Sequence, residues 1–180
     1  MSSIGHTLFD TAVGRCAIAW SERGISAIML PESDDEATRK RLLRRVGGAP
    51  ETSPPANIQQ AIAAIRSLLE GERIDLSNVA VDLEGMPDFN LQVYDIARKI
   101  PAGETLTYGD IARRLGDVQL SRAVGQAMGQ NPVPIVVPCH RVVAAGGKTG
   151  GFSAPGGSRT KLKILAIERA KVGNAPDLFD

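Results

Sequence analysis

Three prolines in seven residues, Pro132, Pro134 and Pro138, bracket an apolar run in the stretch Asn131-Pro132-Val133-Pro134-Ile135-Val136-Val137-Pro138-Cys139-His140-Arg141-Val142-Val143. Each proline fixes its own φ and removes a backbone donor, so a side chain placed just after them is held rigidly. Cys139 stands at that place, followed by His140 and Arg141. A cysteine is a strong nucleophile only as thiolate, which requires a base, a positive neighbour or a helix terminus beside the sulfur. The next two residues are candidates for those roles. In extended chain, however, consecutive side chains point to opposite faces, so Cys139 and His140 cannot bond directly. Either the chain turns there or a water relays the proton. The same residues also fit an inert, buried cysteine beside a satisfied histidine.

The rest of the chain can bury a core around such a segment. Of 180 residues, 43% are hydrophobic and 23% charged, the balance of a soluble globular chain with one ordinary domain or two small ones. No apolar run approaches the roughly 18 residues that span a bilayer, and Met1 to Asp10 lacks a basic flank followed by an apolar stretch, so neither secretion nor a membrane partner is expected. The two cysteines, Cys16 and Cys139, are too few for a disulfide framework and fit a reducing cytoplasm.

Composition and periodicity change at Gly85-Met86-Pro87, which sets the expected division into an N-terminal domain over 1–85, a C-terminal domain over 86–171 and a tail over 172–180. Lys and Arg number 9 against 12 Asp and Glu up to Gly85, and 12 against 8 beyond it, so the second half is mildly basic and admits a phosphate backbone without requiring one. In the first half, Leu8 to Leu30 alternates and turns at Ser21-Glu22-Arg23-Gly24, as a β-hairpin does. Asp34 to Val46 begins acidic and ends basic, which suits the dipole of an exposed helix. Ile58, Ile62, Ile65, Leu68 and Leu69 recur at helical spacing, and Val79 to Leu83 reads as a returning strand.

In the second half, Asp88 is placed to cap a helix with the stripe Phe89, Val93, Ile96, Ala97 and Ile100. Thr107-Tyr108-Gly109-Asp110 has the form of a capping box opening a short helix. After Gly116-Asp117-Val118, Ser121 to Gly129 turns Val124, Ala127 and Met128 inward and leaves Arg122, Gly125, Gln126 and Gly129 outside. Two short helices around a Gly-containing turn make a candidate helix-turn-helix. Val142 to Phe152 reads as a hairpin forming a pocket wall. The expected fold class is α/β plus α, a small N-terminal sheet with helices followed by a mostly helical domain with a helix-turn-helix.

PCHRV behind NPVPIVV, with RAVGQAM upstream and GGFS downstream, resembles the O6-alkylguanine-DNA alkyltransferases, the methylated-DNA–protein-cysteine methyltransferase family, over Asp88 to Ala170. The resemblance implies direct reversal of alkylation damage, with the alkyl group passing irreversibly from guanine O6, and from thymine O4 as a further substrate, to Cys139. It implies His140 as the base acting through water, Glu168 on the last helix orienting and charging it, and Asn131 bracing the active-site turn. Tyr108 would donate toward guanine N3 and the Ser153 N–H would approach O6, in a pocket that also takes in Val142, Phe152 and Ala154. Arg122 would replace the extruded nucleotide, and Gly125 would let its helix approach the minor groove, with Gln126, Ser121 and Thr107 beside it. Thr107 is itself a helix cap by pattern. The implied partner is double-stranded DNA, bound by a monomer through the minor groove with base flipping and without sequence preference.

Three departures from the family pattern stand out: Phe152 where tyrosine is frequent, Gln126 where glycine is frequent, and a longer stretch from Ala154 to Ser158. Some members carry zinc in the N-terminal domain, but His6 and Cys16 cannot supply four ligands, so neither a metal nor another cofactor is expected. Two other classes of function fit parts of the pattern. A non-enzymatic lesion binder or helix-turn-helix reader has no use for Cys139, and a cysteine hydrolase needs an oxyanion hole that the sequence does not specify.

Overall fold

The computed structural model describes residues 3–145 and 158–170. Two compact units divide the chain, the first taking Met1–Gly85 with Pro132–Val136, the second the remainder. In the first unit β1 (Gly5–Thr11), β2 (Gly14–Ser21) and β3 (Gly24–Met29) form an antiparallel sheet in chain order. The expected hairpin is β2 with β3, and β1 adds a third strand in register from Gly5 opposite Trp20 to Thr11 opposite Gly14. Gly24 is required by space as well as by its φ of 145°, since a Cβ there would stand 2.5 Å from the Ala80 carbonyl oxygen.

The sheet is covered on both faces. Ala17, Ala19, Ala27 and Met29 pack with Leu42 of α1 (Asp35–Val46), while Cys16, Ile18 and Trp20 of the opposite parity are equally buried. The ends of α1 follow its sequence: Asp34 accepts from the Ala37 N–H, and Gly47 closes the helix at a φ of 76°. Ala56–Leu69 forms α2, with Ile58, Ile62, Ile65, Leu68 and Leu69 on its buried face. The strand expected over Val79 to Leu83 is a correction. Pairing reaches only one bridge, Val81 with Ile25, because the buried Asp82 side chain takes the Ser21 hydroxyl and the Glu84 N–H and turns the chain away. Within the same unit the Ile28 N–H donates to the Pro132 carbonyl at 2.9 Å.

The second unit contains α3 (Asp88–Arg98), β4 (Leu106–Thr107), α4 (Tyr108–Arg114), α5 (Ser121–Gly129), β5 (Val142–Val143) and α6 (Ser158–Ile167). Asp88 does not cap α3. Pro87 takes that position without a side-chain bond, and Asp88 lies in the first turn, where its charge still suits the dipole. The buried stripe of α3 is also rotated from the expected one and runs through Asn90, Val93, Tyr94 and Ala97. The capping box is formed, Thr107 Oγ1 accepting from the Asp110 N–H and the Asp110 carboxylate from the Thr107 N–H, both at 2.9 Å. Helices α4 and α5 pack together across a 3-10 turn, Val118–Leu120, which Asp117 caps. β5 pairs in parallel with β4, Leu106 opposite Val142, so the described start of the expected 142–152 hairpin is a parallel pairing and the rest lies outside the described residues. No helix among the described residues is long and apolar enough to cross a membrane.

Candidate active site

The chain turns at the nucleophile. Cys139–Arg141 make one 3-10 turn, in which the Cys139 N–H donates to the Val137 carbonyl at 2.8 Å and the Arg141 N–H to the Pro138 carbonyl at 2.9 Å. The side-chain amide of Asn131 donates to the same Val137 carbonyl at 2.8 Å, bracing the turn from the end of α5. The turn does not pair Cys139 with His140. Instead His140 Nε2–H donates to Glu168 Oε1 at 3.0 Å, and His140 Nδ1, fully buried, meets no hydrogen-bonding group of the protein. The carboxylate thereby fixes the tautomer and leaves Nδ1 as a bare acceptor.

Glu168 lies one residue past α6 and stays on its helical track through an N–H bond to the Ile164 carbonyl. Arg141 clamps it on two sides, Nε to Oε1 at 3.0 Å and Nη2 to Oε2 at 2.6 Å, and its Nη1 donates to the Ile100 carbonyl at 2.7 Å. Burial alone would raise the Glu168 carboxyl, but the imidazole and the guanidinium outweigh it and hold the group at about 2. Burial also lowers the His140 imidazole, against the pull of Glu168 and with the help of Arg141 and Lys161. The carboxylate's charge is thus answered by Arg141, and the histidine it orients stays neutral. A neutral imidazole can take a proton.

Lys161 is the second cation of the site. It is 1% exposed, donates to the Val142 carbonyl at 2.6 Å and stands 5.7 Å from the centroid of the Tyr108 ring. Burial brings its ammonium down to about 8, against the attraction of Cys139. Burial pushes the Cys139 thiol up, while the Asn131 amide, the Lys161 ammonium and the backbone pull it back. Cys16 lacks such neighbours, and burial in β2 lifts it to about 11 despite Thr11. Only one of the two thiols has a cation beside it to favour its anion.

Cys139 faces a cavity of about 1060 Å³ within the second unit. Thr107, Tyr108, Ser121, Arg122, Gly125 and Gln126 line it, so every residue expected on the DNA side shares one cavity with the sulfur. His140 and Glu168 are buried away from that lining, as are Asn131 and Val142. Phe152, Ser153 and Ala154 lie outside the described residues. Among the described residues no group of three or more His, Cys, Asp or Glu side chains is arranged to hold a metal ion.

A family profile described as 6-O-methylguanine DNA methyltransferase, DNA binding domain, matches residues 88–170. A methylated-DNA–protein-cysteine methyltransferase of Mycobacterium tuberculosis is 38% identical over 177 residues, covering 98% of this chain and 99% of that one. The chain belongs to the methylated-DNA–protein-cysteine methyltransferase family. A member from Methanothermobacter thermautotrophicus is 32% identical over 91% of this chain and 81% of its own length. The crystal structure of Mycobacterium tuberculosis OGT in complex with DNA superposes with a TM-score of 0.72 at 30% identity, covering 92% of this chain and 93% of that one. The O6-methylguanine-DNA methyltransferase of the archaeon Pyrococcus kodakaraensis superposes with a TM-score of 0.69 at 29% identity.

In this methyltransferase one residue, Lys161, joins the site that sequence reasoning left out of it, and a second, Arg141, takes a different part from the one expected. Arg141, two residues past the nucleophile and expected as its positive neighbour, turns its guanidinium to Glu168 instead. The signal for Lys161 lay in α6 and the turn after it. Lys161, Ile164, Leu165 and Glu168 recur at i, i+3, i+4 and i+7, and all four are buried, which puts a lysine and a glutamate on the apolar stripe.

Proposed function

We propose that this methyltransferase repairs alkylated DNA by moving the alkyl group of O6-alkylguanine onto Sγ of Cys139. His140 Nδ1 takes the thiol proton through a water, and the thiolate attacks the alkyl carbon as the carbon–oxygen bond breaks. The electron pair passes to guanine O6, and the Tyr108 hydroxyl supplies a proton toward N3 as charge develops on the leaving purine. The proton taken up by His140 then replaces the one that Tyr108 gives up, so atoms and charge balance with no further reactant. The carrying observation is that Cys139 shares its cavity with Tyr108 and with the exposed side chains of α5, while its neutral base lies buried behind it.

The α4–α5 pair acts as a helix-turn-helix whose second helix enters the minor groove. Arg122, exposed near the start of α5, fills the space left by a flipped nucleotide, and the small Gly125 allows close approach. Thr107, Ser121 and Gln126 flank the backbone, and binding carries no base code. The same pocket takes O4-alkylthymine as a second substrate.

A methyl thioether is a poor leaving group, so each molecule acts once. Incubation with a duplex containing O6-methylguanine adds one methyl group to the peptide carrying Cys139, with repaired duplex never exceeding protein. Repair that leaves the Cys139 thiol free, or product that outruns protein, excludes the mechanism.

A further inference from the structure

Helix α3 buries two polar side chains where apolar ones would serve. Asn90 and Tyr94 lie one turn apart on the stripe with Val93 and Ala97, and their polar atoms aim at the last turn of α5. The Tyr94 hydroxyl donates to the Ala127 carbonyl at 2.7 Å. Asn90 Nδ2 donates to Gln130 Oε1 at 2.8 Å and stands 3.3 Å from Tyr94 Oη. Leucine and phenylalanine could fill similar space with no polar atom to satisfy, so a paired network of this kind contributes a fixed position more than net stability.

The position it fixes is the junction between the DNA-facing helix and the nucleophile. The Ala127 carbonyl also receives the Gln130 N–H, and the next residue, Asn131, donates its backbone N–H to Met128 and its side-chain amide to the Val137 carbonyl. That carbonyl is the one that holds the Cys139 N–H. A continuous set of bonds therefore runs from α3 through the end of α5 to the turn that carries the sulfur. We propose that Asn90 and Tyr94 are positioning residues for alkyl transfer, a buried latch that sets where α5 ends and, through Asn131, where Cys139 stands. The proposal rests on Cys139 being the acceptor.

Tyr94→Phe keeps the ring and removes the donor. With a duplex containing O6-methylguanine, its limiting single-turnover rate is expected to fall about tenfold, the equivalent of roughly one buried hydrogen bond, while the half-saturating concentration stays within about twofold. Asn90→Leu combined with Tyr94→Phe separates position from stability. The double variant leaves no buried donor without its partner and the exposed Gln130 amide free to bond water, so its melting temperature is expected to fall no further than that of Tyr94→Phe, yet the rate stays low. The latch is overturned if Tyr94→Phe transfers at the wild-type rate, or if the double variant recovers rate and melting temperature together. Mass analysis of wild-type protein in the same reactions keeps the two ideas apart. Repair without a label on Cys139 overturns the acceptor assignment and the latch with it, whereas labelled wild type with an unimpaired Tyr94→Phe variant overturns the latch alone.

Discussion

A single buried lysine divides the chemistry of the site from its stability. Lys161 has no carboxylate within ion-pair distance among the described residues, and the group whose negative charge would favour its ammonium is Cys139. Its ammonium is lowered from 10.5 to about 8, so folding costs roughly 3 kcal/mol while both states are protonated. The unfolded chain holds that proton more tightly, so the cost is fully present below about pH 8 and fades as pH rises toward 10.5. Lys161→Met is therefore expected to unfold at a higher temperature than wild type at pH 7, with a gain of about 2 kcal/mol once roughly 1 kcal/mol is subtracted for the lost bond to Val142. The gain should vanish near pH 10.5, and transfer should fall about tenfold with the weaker thiolate. Thermal melts at the two pH values and single-turnover kinetics check it; lower stability together with unchanged transfer would contradict both halves. The nucleophile itself was legible, because Cys139, His140 and three prolines are local in sequence. The partners of Arg141 were not, since Glu168 and Ile100 are distant in the chain and nothing local says which way a guanidinium turns.

Elements were legible where their signals are local. The capping box at Thr107 and the acidic-to-basic order of Asp34 to Val46 each involve neighbours within a few residues, and the box and the helix each formed as the pattern requires. The strand at Val79 to Leu83 failed because apolar alternation does not show a buried Asp82 ending the ladder. The stripe of α3 was misplaced because Asn90 and Tyr94 count as polar until their partners on α5 are known. The parallel pairing of β4 with β5 joins two-residue pieces too short to carry a period. Gly125, in the middle of α5, shows an element bearing a residue that its own fold does not need. A Cβ there meets nothing within 4 Å and the backbone is ordinary helix, so alanine should stabilise the helix by about 1 kcal/mol. If α5 approaches a duplex closely, the same methyl stands in the way. Gly125→Ala is expected to raise the unfolding free energy while weakening duplex binding about tenfold, a loss of roughly 1.4 kcal/mol. Denaturant titration and fluorescence anisotropy read the two effects, and binding as tight as wild type would remove Gly125 from the interface.

At the scale of the whole molecule, the two compact units should respond differently to acid. In the second, His140 and Arg141 hold the Glu168 carboxyl at about 2 rather than 4.5, so the carboxylate stabilises the fold above pH 4.5 and that support disappears as pH falls from 4.5 toward 2. His140 acts in the same direction at higher pH. Its buried imidazole binds a proton less readily than in the unfolded chain, so stability begins to fall below about pH 6.5. Arg141 reinforces this, because a protonated His140 would face a guanidinium whose own counter-charge is already shared. In the first unit the carboxylate whose proton affinity the fold lowers, Asp10, lies on the surface beside Arg15, where solvent screening leaves little to lose. Hydrogen exchange corrected for intrinsic rates should therefore show the amides of α6 losing protection as pH falls from 6.5 toward 2 while those of β2 keep theirs. Glu168→Gln supplies the control: the neutral amide leaves Arg141 buried without its anion, so the variant should be less stable at pH 7 and should show a flatter loss toward acid. Equal loss of protection in α6 and β2, or an acid response unchanged by Glu168→Gln, would mean that the His140, Glu168 and Arg141 cluster does not govern the acid stability of its unit.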